Sequence, residues 1–214
     1  MKEEAIKVIR PHETSVTHVS LSQFKEVMGV EYSKELRFKS PELRRAAEAR
    51  CRFAHLRGKL RPKQIWTGCY YARDILSGSE IDATIVWIDE RVGYGVFTNR
   101  DIPAHTYVGE YTGVLRRPYF FKDKTNYYCF NCYITMSFWE QNLWAPYLVD
   151  AQDVGNFTRY INHSSSPNLG MASAYCNEML HIIFYASSFI PKGTQLLYDY
   201  GPTYWEKRPA PLHL

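Results

Sequence analysis

The stretch RYINHSSSPN, residues 159–168, places an Asn-His pair and three serines directly behind an apolar Tyr-Ile pair. The proline that follows the serines stiffens the loop they form. Serine and histidine together suggest a serine hydrolase. Such enzymes commonly present their nucleophile on a G-x-S-x-G turn, and these serines lack glycines at that spacing. The hydrolase interpretation is therefore disfavoured, and Asn162 and His163 need another role.

Other short motifs flank this stretch in a fixed order. Upstream, Gly93-Tyr94-Gly95 puts two glycines one residue apart in a strand-like run, which lets backbone approach a ligand closely. The third glycine and the helix of a dinucleotide fingerprint are missing. The motif Tyr111-Thr112-Gly113 follows, and GTQLLYDYG spans Gly193–Gly201. A glycine hairpin explains the first motif alone, but not the ordered set.

This ordered set resembles the SET domain, a family of protein lysine methyltransferases that use S-adenosylmethionine. The family's marks are a GxG turn, a YxG, an R-F-I-N-H-S-C-x-P-N segment and a terminal E-L-x-Y-D-Y. The resemblance covers roughly residues 83 to 206. The sequence departs from it at Tyr160 for Phe, Ser165 for Cys and Gln195 for Glu. None of these changes removes a group that the chemistry needs.

The resemblance implies a mainly β fold with α-helices, in which several small sheets end in a C-terminal pseudoknot. Asn162 and His163 would then lie under the cofactor as binding residues, and Ser164 would be structural. A threaded connection of this kind departs from the usual rule for protein folds.

The resemblance also implies the residues of the site. Tyr200, the last tyrosine of YDYG, is the expected catalytic phenol. The expected walls of the lysine channel are Tyr128, Tyr147 and Tyr198, with core packing as the less favoured alternative for each. The expected cofactor-binding residues are Arg91, Gly93, Tyr94, Gly95, Tyr147, Arg159, Asn162, His163, Tyr200 and Trp205. The tyrosine at 198, where the family varies between Tyr and Phe, predicts mainly monomethylation.

The chemistry explains why tyrosines would surround such a site. Only a neutral lysine amine is nucleophilic, and free lysine titrates near about 10.4. Aromatic walls and a nearby sulfonium both disfavour the ammonium form. Seventeen tyrosines are consistent with such a channel, although a tyrosine-rich core would also account for them.

The composition is that of an ordinary globular protein, 45% hydrophobic and 22% charged. We find no export signal and no apolar run long enough to span a membrane. Five cysteines, an odd number, then indicate reduced thiols in the cytoplasm or a nucleus. That nucleus would be a host's if the chain is a secreted bacterial effector. The lone CxxC of Cys129 and Cys132 does not suffice for zinc, and we expect no metal.

The charge is uneven along the chain. Residues 1–80 hold 16 Lys/Arg against 10 Asp/Glu, and residues 81–214 hold 10 against 12. The basic stretch 37–63 has ten basic side chains against two acidic ones. It predicts contact with nucleic acid or an acidic protein surface, or else a solvated helix face.

The sequence divides into a helical, basic N-terminal region (1–80), a β-rich SET domain (81–206) and a short tail (207–214). Ser40-Pro41-Glu42 is a good helix start, and Gly58 is a plausible stop. From residue 81 the run IDATIVWI alternates as a half-buried strand does. Asn177-Glu178 predicts a tight hairpin.

The compact layout resembles the small bacterial SET proteins, chlamydial ones among them, because cysteine-rich segments are missing before and after the domain. The predicted function is methyl transfer from S-adenosylmethionine to a lysine on a protein, a histone or another target. The alternative is a catalytically weak scaffold on nucleic acid or chromatin. Nothing in the sequence fixes the oligomeric state.

Overall fold

The computed structural model describes residues 4–119, 123, 126–132 and 147–205, apart from the side chain of residue 203. Strands dominate these residues, as predicted. The strands are β1 (Ala5–Ile9), β2 (Thr17–Ser20), β3 (Glu31–Tyr32), β4 (Arg37–Phe38), β5 (Ala83–Asp89), β6 (Gly93–Thr98), β7 (Tyr107–Glu110), β8 (Val114–Arg116), β9 (Cys129–Cys132), β10 (Tyr147–Asp150), β11 (Val154–Gly155), β12 (Asn162–His163), β13 (Leu169–Cys176), β14 (Met179–Ala186) and β15 (Leu197–Tyr198). The helices are α1 (Phe24–Met28), α2 (Pro41–Leu56), α3 (Pro62–Tyr70), α4 (Ala72–Ser77) and α5 (Pro202–Trp205), with a 3-10 helix at Phe157–Tyr160.

The strands form several small sheets, as the sequence predicted. The two four-stranded sheets have the orders β2-β1-β5-β6 and β4-β8-β10-β9. A three-stranded sheet has the order β13-β14-β7, and two-stranded pairs are made by β11 with β3 and β12 with β15. Cys129 and Cys132 lie three residues apart in β9, so they point to opposite faces of that strand.

Residues 4–40 are mainly strands, with α1 as a single short helix, so the prediction of a helical region is wrong for this part. β1 pairs in parallel with β5 and antiparallel with β2, while β3 and β4 pair in parallel with β11 and β8. Strands of two to five residues are too short to show a clear period in the sequence. Their structure comes from pairing with distant segments. Helices dominate only from residue 41 to residue 77.

Helix α2 begins and ends where the sequence predicted. The hydroxyl of Ser40 accepts a hydrogen bond from the backbone N–H of Leu43 at 3.2 Å, and proline occupies the first helical turn. The helix ends at Leu56, and Gly58 adopts a φ of 64°. The fully buried residues of this helix are Ala47, Cys51 and Ala54.

Helix α3 lies along β13, an edge strand of its sheet. A Cβ on Gly68 would lie 1.7 Å from the carbonyl oxygen of Tyr175, so only glycine fits there. The side-chain amide of Gln64 donates to the hydroxyl of Ser173 at 3.2 Å. The helix therefore protects an edge that could otherwise pair with another chain.

One large core unites the N-terminal strands with the rest of the described chain. Val8 and Phe24 belong to the same buried cluster as Ile85 and Phe184. The predicted hairpin between β13 and β14 is confirmed, because residues 177 and 178 form its tip with φ values of 45° and 62°. Among the described residues, no helix is both long and apolar enough to cross a bilayer.

Candidate active site

The Asn-His pair forms strand β12, which lies in parallel beside β15. Asn162 faces Leu197 and His163 faces Tyr198 in this register. The backbone N–H of Ser164 donates to the carbonyl of Tyr198 at 3.2 Å. This pairing brings the motifs RYINHSSSPN (159–168) and GTQLLYDYG (193–201) into direct contact.

Asn168, the last residue of the opening stretch, extends this contact. Its side-chain nitrogen donates to the carbonyl of Gln195 at 2.7 Å, and its side-chain oxygen accepts from the N–H of Leu197 at 2.9 Å. An amide side chain can do both at once because it carries a donor and an acceptor. The segment after the proline is therefore tied to the segment that enters β15.

The GxG motif of β6 meets β12 through Asn162. The side-chain nitrogen of Asn162 donates to the carbonyl of Tyr94 at 3.0 Å. A Cβ on Gly95 would lie 2.7 Å from Ile88 Cδ1 and 3.2 Å from Asn162 Nδ2. Gly95 is thus required by packing within the protein, whereas Gly93 has open space beside it and a φ of 76°.

Five aromatic side chains form a contiguous group beside β12, which we call the aromatic cluster. The ring of Tyr198 lies 4.7 Å from that of Phe184 and 4.6 Å from that of Tyr200. Tyr200 also contacts Tyr204 at 4.6 Å and stacks on Trp205 at 6.0 Å. The members of the cluster are Phe184, Tyr198, Tyr200, Tyr204 and Trp205.

Tyr200 is fixed at both its backbone and its hydroxyl. Its hydroxyl donates to the carbonyl of Ile161 at 2.9 Å, and its N–H donates to His163 Nδ1 at 3.2 Å. Burial, and then the neighbouring hydroxyl of Tyr204, raises the pKa of Tyr200 above that of a free tyrosine. The phenol therefore keeps its proton at neutral pH.

His163 is held as a binding residue would be. Because its Nδ1 accepts the Tyr200 N–H, a neutral ring carries its proton on Nε2. The ring also packs edge-on against Trp205 at 4.9 Å. Asp199 lies 3.6 Å from the same nitrogen but is well exposed.

Arg159 and Tyr128 meet on the other side of the opening stretch. The guanidinium of Arg159 lies 3.9 Å from the ring centre of Tyr128 and 4.7 Å from that of Tyr160, a favourable arrangement of cation and aromatic faces. Its Nε donates to the carbonyl of Ala151 at 2.8 Å. The hydroxyl of Tyr111 donates to the carbonyl of Tyr128 at 2.8 Å, which fixes that backbone.

Two of the expected site residues lie apart from these contacts. Tyr147 is fully buried in β10, and the guanidinium of Arg50 on α2 lies 5.8 Å from its ring. Its hydroxyl has no hydrogen-bond partner among the described residues. Arg91 lies on the turn before Gly93, where its N–H donates to Asp89 at 2.9 Å. Whether Tyr147 lines a channel stays a prediction.

A polar network fixes the start of the segment that carries the Asn-His pair. Asn156 donates to Glu80 Oε1 at 3.0 Å and to the carbonyl of Glu110 at 2.9 Å, and its side-chain oxygen caps the 3-10 helix at 3.1 Å. The hydroxyl of Tyr32 donates to both oxygens of Glu80, at 3.0 and 2.9 Å. Burial raises the pKa of Glu80, and Lys34, 3.7 Å away, opposes that rise. We call Tyr32, Lys34, Glu80 and Asn156 the N-terminal network.

The family follows from a match to residues 93–201, which is half of the chain and contains every motif quoted above. The chain belongs to the SET-domain family. The SET domain thus confirms the resemblance drawn from the motifs, together with the mainly β fold of small sheets.

Similar proteins include named lysine methyltransferases. Histone-lysine N-methyltransferase SETD2 of Mus musculus is 31% identical over 115 residues, which are 54% of this chain and 4% of that protein. N-lysine methyltransferase KMT5A of Xenopus tropicalis is 35% identical over 117 residues, 51% of this chain and 33% of that protein. The chain therefore spans at most a third of the length of these relatives.

A solved structure is similar over a larger share of this chain. It is a humanized mutant of the Chaetomium thermophilum Polycomb Repressive Complex 2 bound to the inhibitor GSK126. The TM-score is 0.50 with 29% identity, and the match covers 62% of this chain and 16% of that one.

Unpartnered buried polar atoms lie close to the residues expected to bind the cofactor. Trp205 Nε1, Gln195 Nε2 and the hydroxyl of Tyr160 are buried without a hydrogen-bond partner among the described residues. Buried donors of this kind are normally satisfied by a ligand or water. Trp205 packs on His163 at 4.9 Å, Tyr160 packs on Tyr94 at 5.7 Å, and Gln195 Nε2 lies beside Gly95. The residues therefore fit a cofactor such as S-adenosylmethionine.

Several residues of the site were not predicted from the sequence. Tyr111 was recognised only as part of a motif, yet it is buried and binds the backbone of Tyr128. Tyr204 and Phe184 join the aromatic cluster without any motif of their own. Tyr204 lies four residues after Tyr200, so its closeness to YDYG in the sequence could have indicated it. Phe184 gave no such signal. The predicted tail, residues 207–214, lies outside the described residues.

Proposed function

We propose that this chain transfers a methyl group from S-adenosylmethionine to the side-chain amine of a lysine on a protein. The observation that carries the proposal is the position of Tyr200, whose hydroxyl is bound to the Ile161 carbonyl directly before the Asn162–His163 pair. The names of the similar proteins, lysine methyltransferases among them, support it.

When bound, the cofactor supplies an electrophilic methyl group on a positively charged sulfonium. The residues that would hold it are Asn162, His163, Trp205 and the backbone of Gly93 to Gly95. Asn162 binds the backbone of the GxG motif, Trp205 packs on His163 with its Nε1 unpartnered among the described residues, and Gly93 has open space beside it. Holding the reacting atoms in line is the main contribution that a protein can make to such a displacement.

Tyr200 would orient the amine rather than take its proton. Its own proton is committed to the Ile161 carbonyl, which leaves oxygen lone pairs free to accept a hydrogen bond from the lysine nitrogen. Because burial raises its pKa, the phenol does not ionise near neutral pH and is not a general base. The proton of the lysine ammonium would leave through water before the nitrogen attacks.

The aromatic cluster would favour the neutral amine. Tyr198 is 8% exposed and lies between Phe184 and Tyr200. A channel with such walls desolvates an ammonium and lowers its pKa. His163 does not compete as a base, since its Nδ1 accepts the N–H of Tyr200.

The degree and the target of methylation are finer parts of the proposal. We propose mainly monomethylation, because the buried hydroxyl of Tyr198, next to Tyr200, can hold a water molecule in the space that a second methyl group would need. A histone or histone-like protein is the proposed target, by analogy with the histone-lysine N-methyltransferases among the similar proteins.

One experiment tests the transfer and finds the target together. The protein is incubated with labelled S-adenosylmethionine and a whole-cell lysate, with histones in parallel, and mass spectrometry identifies labelled lysines. We expect labelled lysine that disappears with Tyr200→Phe. Cofactor binding without any labelled protein would instead favour the scaffold alternative.

A further inference from the structure

The basic stretch 37–63 consists of two parts that differ in their ion pairs. In the first part, on α2, Arg44 pairs with Glu48 at 2.7 Å and Arg45 with Glu42 at 3.1 Å. Arg52 likewise pairs with Glu178, at 3.1 Å. The structure therefore neutralises these arginines within the chain, and they are poor candidates for binding a partner.

The second part lies around the connection from α2 to α3. Four cations here have no ion-pair partner among the described residues: Arg57, Lys59, Arg61 and Lys63. The guanidinium of Arg57 lies 5.2 Å from the ring centre of Phe53. Charges without an internal partner remain available to an external anion.

Helix α3 continues this surface with two exposed aromatic rings. Trp66 is 62% exposed and Tyr70 is 57% exposed, and their rings stack at 5.0 Å with 15° between their planes. Lys63, Trp66 and Tyr70 are spaced three and four residues apart, so they share one face of the helix.

The opposite face of α3 is held firmly. Thr67 and Gly68 are buried, and Gly68 lies against the backbone of Tyr175. The face that carries Trp66 and Tyr70 is consequently directed outward on a fixed element. We call Lys59, Arg61, Lys63, Trp66 and Tyr70 the α3 surface.

We propose that the α3 surface binds single-stranded nucleic acid. Its cations match a phosphate backbone, and exposed stacked rings match unpaired bases, which is the usual combination in proteins that bind single strands. An acidic peptide would satisfy the lysines and arginine but would leave the two rings in water. A duplex would offer phosphates but no free base faces.

The test is fluorescence anisotropy with labelled single-stranded DNA and RNA of about 20 nucleotides at about 50 mM salt. Trp66→Ala combined with Tyr70→Ala should weaken binding by at least about tenfold. Lys59→Ala, Arg61→Ala and Lys63→Ala together should flatten the dependence of log affinity on log salt by about 2. The matched control, Arg44→Ala with Arg45→Ala, removes the same kind of charge from paired positions and should change binding less than about twofold.

Cys69 gives a second readout on the same face. It is the exposed member of the five free cysteines, so bound single strand should slow its alkylation. Far-UV circular dichroism checks that each variant is folded.

Three results would overturn the proposal. The first is no binding of either single strand to the wild type at low salt. The second is an affinity that the ring variant leaves unchanged, which would mean charge attraction alone. The third is equal competition by polyglutamate or by a duplex, which would point to an acidic protein or to duplex binding. Because the methyl-transfer assay uses other residues, it can succeed or fail independently.

Discussion

The aromatic cluster and the N-terminal network hold the same segment, Asn156 to Ser164, from its two ends. The cluster contacts the end, where Tyr200 binds the Ile161 carbonyl and the ring of His163. The network contacts the start, where Glu80 receives a hydrogen bond from Asn156. One region is aromatic and built from a C-terminal motif, whereas the other is polar and built from residues far away in the sequence.

The residues that would take part in the reaction and the residues that position them come from different parts of the sequence. The groups that would meet the reacting atoms lie in or next to short motifs, because they must be close to each other in space and are supplied by two paired strands. Most of the groups that position those motifs, Tyr32, Lys34 and Glu80, lie in or just after β3 and just before β5, outside residues 93–201. Substitutions in the aromatic cluster and in the N-terminal network should therefore impair the protein in different ways.

The largest effect is expected in the aromatic cluster. Tyr200→Phe removes one hydroxyl and no other volume, so the transfer rate should fall by at least about 100-fold, as for other lost transition-state hydrogen bonds. The affinity for S-adenosylmethionine should stay within about threefold. Single-turnover kinetics and calorimetry measure the two quantities, and substantial remaining turnover would remove Tyr200 from the central role.

The next effect is expected in the N-terminal network. Glu80→Ala leaves the buried Tyr32 hydroxyl and the Asn156 amide without their acceptor, which should cost about 2–4 kcal/mol of unfolding free energy. Urea denaturation measures this cost. Transfer should then decline together with stability, because the 3-10 helix loses the side chain that supports its cap.

Glu80→Gln is the matched control for that network. Its carbonyl oxygen can still accept from both partners, so the variant should stay closer to the wild type than Glu80→Ala. Burial raises the pKa of Glu80 in the folded protein. The free energy of unfolding of the wild type therefore falls as pH rises and this carboxyl ionises. The stability of the glutamine variant relative to the wild type should therefore increase as pH rises through the range in which Glu80 ionises. Equal loss in both variants would mean that the network does not act through hydrogen bonding.

The two regions also differ in how far the sequence predicted them. Asn162, His163 and Tyr200 were predicted because each lies in a motif whose members are neighbours along the chain. Glu80 and Asn156 were not, since 76 residues separate them and no local pattern links a carboxylate to a distant amide. The two-residue strands β3 and β4 were not predicted for the same reason, because their pairing partners lie far along the sequence.

A smaller effect is expected where the two regions meet, at the Asn-His pair. Asn162→Ala removes the hydrogen bond to the Tyr94 carbonyl, which should cost about 1–3 kcal/mol in stability and weaken cofactor binding as well. His163→Ala should act in the same direction, because it removes the acceptor of the Tyr200 N–H. Calorimetry that shows unchanged affinity for S-adenosylmethionine in both variants would contradict their role as binding residues.

The smallest effect is expected at Tyr198, which should change the product rather than the rate. Its ring lies between Phe184 and Tyr200, and burial raises the pKa of its hydroxyl, which stays protonated. Such a hydroxyl can hold a water molecule near the lysine nitrogen. A second transfer needs the space of that water, because the amine must rotate and its first methyl group must fit there.

Tyr198→Phe should loosen the water and raise the dimethyllysine fraction, while the first transfer changes less than about threefold. Mass spectrometry of a peptide substrate measures the product ratio, with Tyr204→Phe as the control from the same cluster. A wild-type product dominated by trimethyllysine would show that the channel is wider than the aromatic cluster implies.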